Sequence, residues 1–517
     1  MTTRAIFAVV AIITLFASSC ASRGVPTRKV VGDKRGELQP DPPPGYDPAA
    51  SWYIEAPPVA GGKAYSCSFV EFDDRGDYLD FRQHRHAYEK IRSLSQRGER
   101  VAVVMFLHGW RNSSQSGNVT GFVAFLKQLA EAEHIRNQGL RVHGVYLGWR
   151  GGVFKPSPVG ENDIKATGFS RSIIDPGSSS PVPGLTNTLE TFAYHNDKSL
   201  PEYMISGTAV SRTIYTCAHT AKRHGAKERN RVFLMGHSFG ALLLERTFMN
   251  ATLGELTKEW AWGETSSNTN ANPLPFDTVL LVNSAAPSIY AKQFQGYLAA
   301  HRQAMVRAGV PGADAPIFIS LTSEADGATG KIHRLGNLFA GGSPTLKHDY
   351  YGYEDFILKK NPRKLEPRVP QAEYYRMTPG HNPLLVNRWV EPCPDPHHPV
   401  APGLCLQENL KLDVSKERAL HFFTTNDDRK SVSQWMIRRA PELSLENEKW
   451  STWGDGYQPV CWDTGTGPTR EDRGQSAYWI MRCPGEIING HNDIWNQKAM
   501  ETYAALFRVA TVMKKHR

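Results

Sequence analysis

A chain of 517 residues, 40% hydrophobic and 10% aromatic, carries enough apolar side chain to bury a sizeable core, which excludes a disordered polymer. Its length fits either more than one domain or one large α/β domain with insertions. The formal charge of +9 comes from Lys and Arg scattered along the chain, with no long basic run and no basic stretch interleaved with aromatics, so the composition points to a solvated surface, one that could rest near anionic lipid, and away from nucleic-acid binding.

In chain order, residues 1–20 have the layout of a secretory signal. Arg4 precedes an uncharged run from Ala5 to Ala17, and Ser18, Ser19 and Cys20 follow. The run is short for a membrane span. Cys20 after small residues resembles a bacterial lipobox, with Ala17 where leucine is usual, and would then be the lipidated first residue of the mature protein; a simple cleaved signal is the alternative. Residues 21–60, rich in Pro, Gly and charge, read as a tether leading away from a membrane.

Tyr65 to Phe81 alternates around Asp73-Asp74-Arg75-Gly76-Asp77 and is predicted as a β-hairpin. A helix is expected over Arg82–Gln96. VAVVMFLHGW, Val101 to Trp110, is a continuous apolar run of the kind that forms a strand buried on both faces of a parallel sheet. A helix from about Thr120 to Ile135, a strand over Arg141–Trp149 and a Gly-, Pro- and Ser-rich excursion from 151 to about 188 come next. A helix from about Gly207 to His224 precedes RVFLMGHSFGALLLER, Arg231 to Arg246, which reads as strand, tight turn and helix. Further buried strands are expected over Thr278–Pro287 and Ala315–Asp326, with a helix from about Ile289 to Ala308 between them. The stretch 331–476 breaks this rhythm with many Pro, Trp, His and Tyr residues and reads as an insertion or cap. Strand Ala477–Cys483, the loop Gly490-His491-Asn492-Asp493 and a helix Asn496–Lys514 close the chain. The alternation predicts an α/β fold, a mostly parallel sheet flanked by helices, with the core split between residues 61–330 and 477–517.

Export would place the chain in an oxidising compartment, where six cysteines besides Cys20 could pair in 15 ways. Proximity in sequence suggests Cys393 with Cys405 and Cys461 with Cys483. No C-x-x-C or H-E-x-x-H is present, so a structural zinc site is not expected.

The chemistry centres on Gly236-His237-Ser238-Phe239-Gly240. A serine at a strained strand-to-helix turn projects its hydroxyl above the sheet, and the flanking glycines are needed because a side chain there would strike neighbouring backbone. The Phe239 N–H, at the helix start, can then bind an oxyanion. A serine hydroxyl is a weak nucleophile without a base and an acid that orients the base. Asp326 and Glu324 both follow the IFISLTS strand, and Asp326, with its short side chain before Gly327, is favoured. Of 18 histidines, His491, between the last strand and the closing helix, is the favoured base; His381, also in a Gly-His-Asn context, and then His421 are the rivals. A second oxyanion donor should come from the loop after His108-Gly109, from the N–H of Trp110 or else of Arg111. His108 is expected to hold that loop by hydrogen bonds, and His237 to be a packed neighbour. The Trp residues of the insertion could line an acyl or aromatic pocket or form a core of their own.

The FLHGW strand end, the GHSFG elbow, the acid of TSEAD and the late GHND histidine together resemble the α/β-hydrolase superfamily, specifically its bacterial envelope-associated esterase- and lipase-like members. The resemblance spans roughly residues 65–330 and 477–517 and leaves the insertion unmatched. It implies a cofactor-independent serine hydrolase working through an acyl-enzyme on a small-molecule or lipid ester, anchored by Cys20 to a membrane of the cell envelope, the outer membrane being favoured. The size of the insertion before the histidine departs from the family pattern. An envelope-tethered binding or scaffold protein that keeps the fold without turnover is the alternative.

Overall fold

Each continuous apolar run in the sequence puts alternate side chains on opposite faces of a strand, so both faces must be covered. In the computed structural model the described residues are 53–55, 65–110, 112–114, 117–135, 140–149, 151, 201, 204, 207–223, 230–261, 274–292, 294–295, 298, 315–333, 371–382, 385–392, 419–425, 432–439 and 477–513. The elements in order are β1 (Tyr53–Glu55), β2 (Ser66–Glu71), α1 (Phe81–Gln96), β3 (Arg100–Leu107), α2 (Gly117–Ile135), β4 (Leu140–Gly148), α3 (Thr208–Arg223), β5 (Arg231–His237), α4 (Phe239–Ala261), β6 (Thr278–Val282) and β7 (Phe318–Ser323). They are followed by α5 (Gln371–Arg376), β8 (Arg388–Pro392), β9 (Ala419–Thr425), β10 (Val432–Arg439), β11 (Tyr478–Cys483) and α6 (Gln497–Met513).

The eleven strands form one sheet in the order β1-β2-β4-β3-β5-β6-β7-β11-β8-β10-β9. Pairings from β2 through β8 are parallel, and antiparallel pairs occur only at the two ends, β1 with β2 and β8-β10-β9. This is an α/β architecture. On one face Val101, Val103, Met105 and Leu107 of β3 pack with Ile91 and Leu94 of α1, Val210 and Ile214 of α3 and Leu243 and Phe248 of α4. On the other, Ala102, Val104 and Phe106 pack with Phe122 and Phe125 of α2 and Tyr503 and Phe507 of α6. Phe233 of β5 stacks on Phe507 at 4.3 Å between ring centroids, tying the closing helix to the centre of the sheet.

Four sequence expectations are corrected. The stretch 21–60, read as a tether, supplies Tyr53–Glu55 to the sheet as β1, antiparallel to β2. Tyr65–Phe81 is not a hairpin: Ser66–Glu71 runs parallel to β4, and the only return is a single bridge from Phe72 to Tyr78 around a turn in which the Asp73 carboxylate accepts from the Arg75 and Asp77 N–H groups. The alternation there comes from a central strand followed by an Asx-stabilised turn, which imitates two short strands. Cys483 does not pair with Cys461. Its thiol is free and buried, at the end of β11 in the face covered by α6. The proposed Cys393–Cys405 pair lies outside the described residues, as do Cys20 and the excursion after Gly151. Finally, the stretch read as an irregular cap contributes β8, β9 and β10 to the same sheet. Proline and tryptophan around them masked the strand signal of RWVEP and VSQWMIRR.

Behind the sheet, Glu245 of α4 is fully buried and accepts hydrogen bonds from the hydroxyls of Ser284 (3.0 Å) and Tyr478 (2.8 Å). Burial pushes its carboxyl up to about 7, against the lowering by those two hydroxyls and by Arg246. A folded-state value above the unfolded one of about 4.3 means that the group's stabilisation is complete below the unfolded value and is lost as pH rises through about 7. The expected outcome is that thermal stability falls between pH 5 and 8 by on the order of 3 kcal/mol from this group, and that Glu245→Gln flattens the slope; unchanged pH dependence in the variant would contradict it.

Candidate active site

The ends of parallel strands carry loops to one edge of the sheet, and in open α/β sheets the carboxyl ends are where ligands bind. Here β5 delivers Ser238, β7 delivers Asp326 and β11, through its following loop, delivers His491. Ser238 sits at the β5–α4 turn with φ +55, a left-handed backbone that a non-glycine residue adopts at a cost of about 1–2 kcal/mol. The turn is held by its neighbour strand: the Ser238 N–H donates to the Val282 carbonyl (3.0 Å), and the Ala285 N–H donates to the Ser238 carbonyl (3.2 Å). The two elbow glycines are sterically required. A Cβ on Gly240 would stand 2.2 Å from the Leu107 carbonyl oxygen, and one on Gly236 would stand 2.8 Å from the Ala241 backbone.

The three expected residues meet. The Ser238 hydroxyl donates to His491 Nε2 at 2.9 Å, and His491 Nδ1–H donates to the Asp326 carboxylate at 3.0 and 3.1 Å. That tautomer follows from the partners, since a carboxylate accepts and leaves Nε2 to receive the serine proton. All three side chains are buried. Glu324, the rival acid, is exposed, and its N–H bonds the Cys483 carbonyl. Asp326 also receives the N–H groups of Ala328 (3.0 Å) and Thr329 (3.1 Å) and the Thr329 hydroxyl. Burial by itself would raise its carboxyl. The charge and hydrogen bond of His491, the neighbouring His381 and the Thr329 hydroxyl outweigh that and hold it well below the usual carboxylate range.

His381 lies in a short 3-10 turn, Pro379–His381, beside Asp326 and against Gly330, while the hydrogen bond to the Ser238 hydroxyl is made by His491. Burial lowers it to about 4, so it is neutral near pH 7. The side chain of His421 lies outside the described residues. His108 does hold the loop after β3: its Nδ1–H donates to the Gly109 carbonyl, its Nε2 accepts the Trp149 N–H, and its carbonyl accepts the Trp149 indole N–H, each at 3.0 Å. Burial brings it to about 4, which keeps the ring neutral as these contacts require. Beyond this loop, Asn112 donates to the Trp110 carbonyl (2.9 Å), and the Trp110 ring leans on Phe239 with centroids 6.1 Å apart. Phe239 is the first residue of α4, and N–H groups in a helix's first turn point out of its N-terminal end. Arg111, the other donor considered, lies outside the described residues.

His237 is more than a packed neighbour. Its Nε2–H donates to the backbone carbonyl of His491 at 2.8 Å. Burial first, then the charge of His491, lower it to about 3, so it too stays neutral. Two further residues escaped the sequence reading. Thr329 was signalled by its place three residues after Asp326, the spacing at which a carboxylate caps a helical turn. Asn283 was signalled by an amide ending the TVLLV strand, where Asn tolerates left-handed backbone better than other side chains.

Gly240→Ala is expected to cost roughly 1–3 kcal/mol, the range for overpacking, measured as a drop in the urea midpoint. Gly117→Ala, where a Cβ meets nothing within 4 Å, should be neutral or slightly stabilising. Equal effects would contradict the packing described. Neither protein-family models nor curated proteins nor solved structures gave a match to the chain, so the reading of the site rests on its geometry.

Proposed function

We propose that the chain is a serine hydrolase of the α/β-hydrolase fold that cleaves carboxylic esters through an acyl-enzyme. The observation that carries the reading is the unbroken relay from the Ser238 hydroxyl through His491 to Asp326. Supporting it are the strained turn under the serine and the chain order of nucleophile, acid and base that α/β-hydrolases use.

Each group then has one task. Ser238 Oγ attacks the ester carbonyl while His491 Nε2 takes its proton, and Asp326 fixes the ring and stabilises the imidazolium that forms. The Phe239 and Trp110 N–H groups receive the oxyanion. His491 gives its proton to the departing alcohol, then removes one from the water that attacks the acyl-serine, and returns it to Ser238 Oγ as the acid leaves. His237 and His108, both neutral near pH 7, put no competing positive charge beside the base. No step calls on a cofactor.

A small-molecule or lipid ester as substrate, and lipid anchoring of Cys20 in the bacterial cell envelope, with the outer membrane favoured, complete the proposal. Among the described residues no helix is long and apolar enough to cross a membrane. The alternative, a tethered binding protein without turnover, would be favoured by a base out of reach of Ser238, and the 2.9 Å contact weighs against it.

The test is hydrolysis of p-nitrophenyl esters of short and long acyl chains by the purified protein. Ser238→Ala should remove activity above background. Asp326→Asn should lower kcat by roughly 10⁴-fold, because the amide stabilises the wrong imidazole tautomer. Turnover by Ser238→Ala equal to that of the wild type would sink the reading.

A further inference from the structure

We infer that Asn283, which takes no part in the bond-making steps, is the positioning residue that sets where His491 stands relative to Ser238 and Asp326; the inference rests on the serine-hydrolase reading above. Asn283 follows β6 directly, is fully buried and has φ +46. Apart from Ser238 it is the only non-glycine residue with positive φ among the described residues. Backbone strain of this kind persists only where the surroundings impose it, and it concentrates at functional sites.

The side-chain amide explains what imposes it. Its Nδ2 donates to the Gly490 carbonyl (3.2 Å) and the His491 carbonyl (3.1 Å), and its Oδ1 accepts the Ser323 N–H (3.0 Å). Two carbonyls can only accept, which fixes the amide's orientation. Ser323 in turn accepts the Asp326 N–H on its carbonyl (3.1 Å) and donates its hydroxyl to the Ile488 carbonyl (2.6 Å). One amide therefore bridges the loop bearing the acid and the loop bearing the base. Through its own backbone it is fastened to β7, its N–H donating to the Leu321 carbonyl (2.9 Å). Its neighbours Val282 and Ala285 grip the backbone of Ser238. All three segments are thus referenced to Asn283.

His491 needs such a reference because its loop is neither helix nor strand, and Gly490 before it has φ +88. Its ring must point at two partners at once. The carbonyl of His491 is held from two sides, by Asn283 and by His237 Nε2–H (2.8 Å), which restricts rotation of the peptide that carries the ring. Asparagine suits the position on both counts: it tolerates left-handed backbone, and its amide presents donors and an acceptor together.

Two variants separate these contributions. Asn283→Gly accepts the backbone angle without strain and removes the amide. Asn283→Asp keeps the shape and sets a carboxylate oxygen against the two carbonyls. Kinetics on p-nitrophenyl acetate and the low-field proton resonance of the His491–Asp326 hydrogen bond are recorded for each, after circular dichroism has verified folding. The expected result is a kcat lowered roughly tenfold to a hundredfold, the scale of misplacing a catalytic group by about 1 Å, with KM little changed and the resonance lost or shifted in both variants. Wild-type kcat and an unchanged resonance in folded Asn283→Gly would overturn the inference, even if Asn283→Asp fails to fold. No turnover by the wild type would count against the hydrolase reading instead. The resonance would then decide the positioning claim by itself, retention in Asn283→Gly overturning it and loss supporting it.

Discussion

Everything at this site depends on one geometric demand: a single imidazole must reach a hydroxyl on one side and a carboxylate on the other, each at about 3 Å. The groups it joins come from residues 253 and 165 positions away along the chain. Local structure cannot meet such a demand. A parallel sheet can, because successive strands run the same way and bring their carboxyl ends to one edge. β5, β7 and β11 are the strands used, with β6 lying between the strand that leads to Ser238 and the strand that leads to Asp326. The residues after β6 are well placed to tie the others together, and they do so through Val282, Asn283 and Ala285.

Burial sets the electrostatics. Among the described residues four histidines lie in or near the site, and for His108, His237 and His381 desolvation favours the neutral ring. Asp326 is the exception that proves useful: equally buried, it stays ionised because donors surround it. The arrangement thus keeps one negative charge and one mobile proton in a region where other charges are unfavourable. Glu245, fully buried and with two hydroxyl donors among the described residues, shows what happens when donors are fewer, since its carboxyl moves up toward neutrality.

Much of this was legible in the sequence. The long apolar runs of β3 and β5 marked buried parallel strands, since no solvent-facing strand reads VAVVMFL. The elbow glycines declared a turn without room for a Cβ, and the loop before the closing helix marked His491 over His381. What stayed hidden has common physical causes. Asx turns imitate hairpins, as at Asp73. Strands rich in Trp and flanked by Pro imitate loops, as in β8 and β10. Cys483 could be judged only once β11 was seen to bury it under α6. Backbone acceptors leave no trace in side-chain identity, so the hold of His237 and Asn283 on the His491 carbonyl could not be foreseen from residue types alone.

The most direct measurement of the central claim is exposure of the full protein to a fluorophosphonate probe, followed by peptide mapping of the adduct. An activated serine in this relay should carry one stoichiometric modification, on Ser238, formed slowly or not at all once His491 is replaced by Ala. Folded protein that takes up no probe, or takes it up on another residue at the same rate with and without His491, would contradict the account.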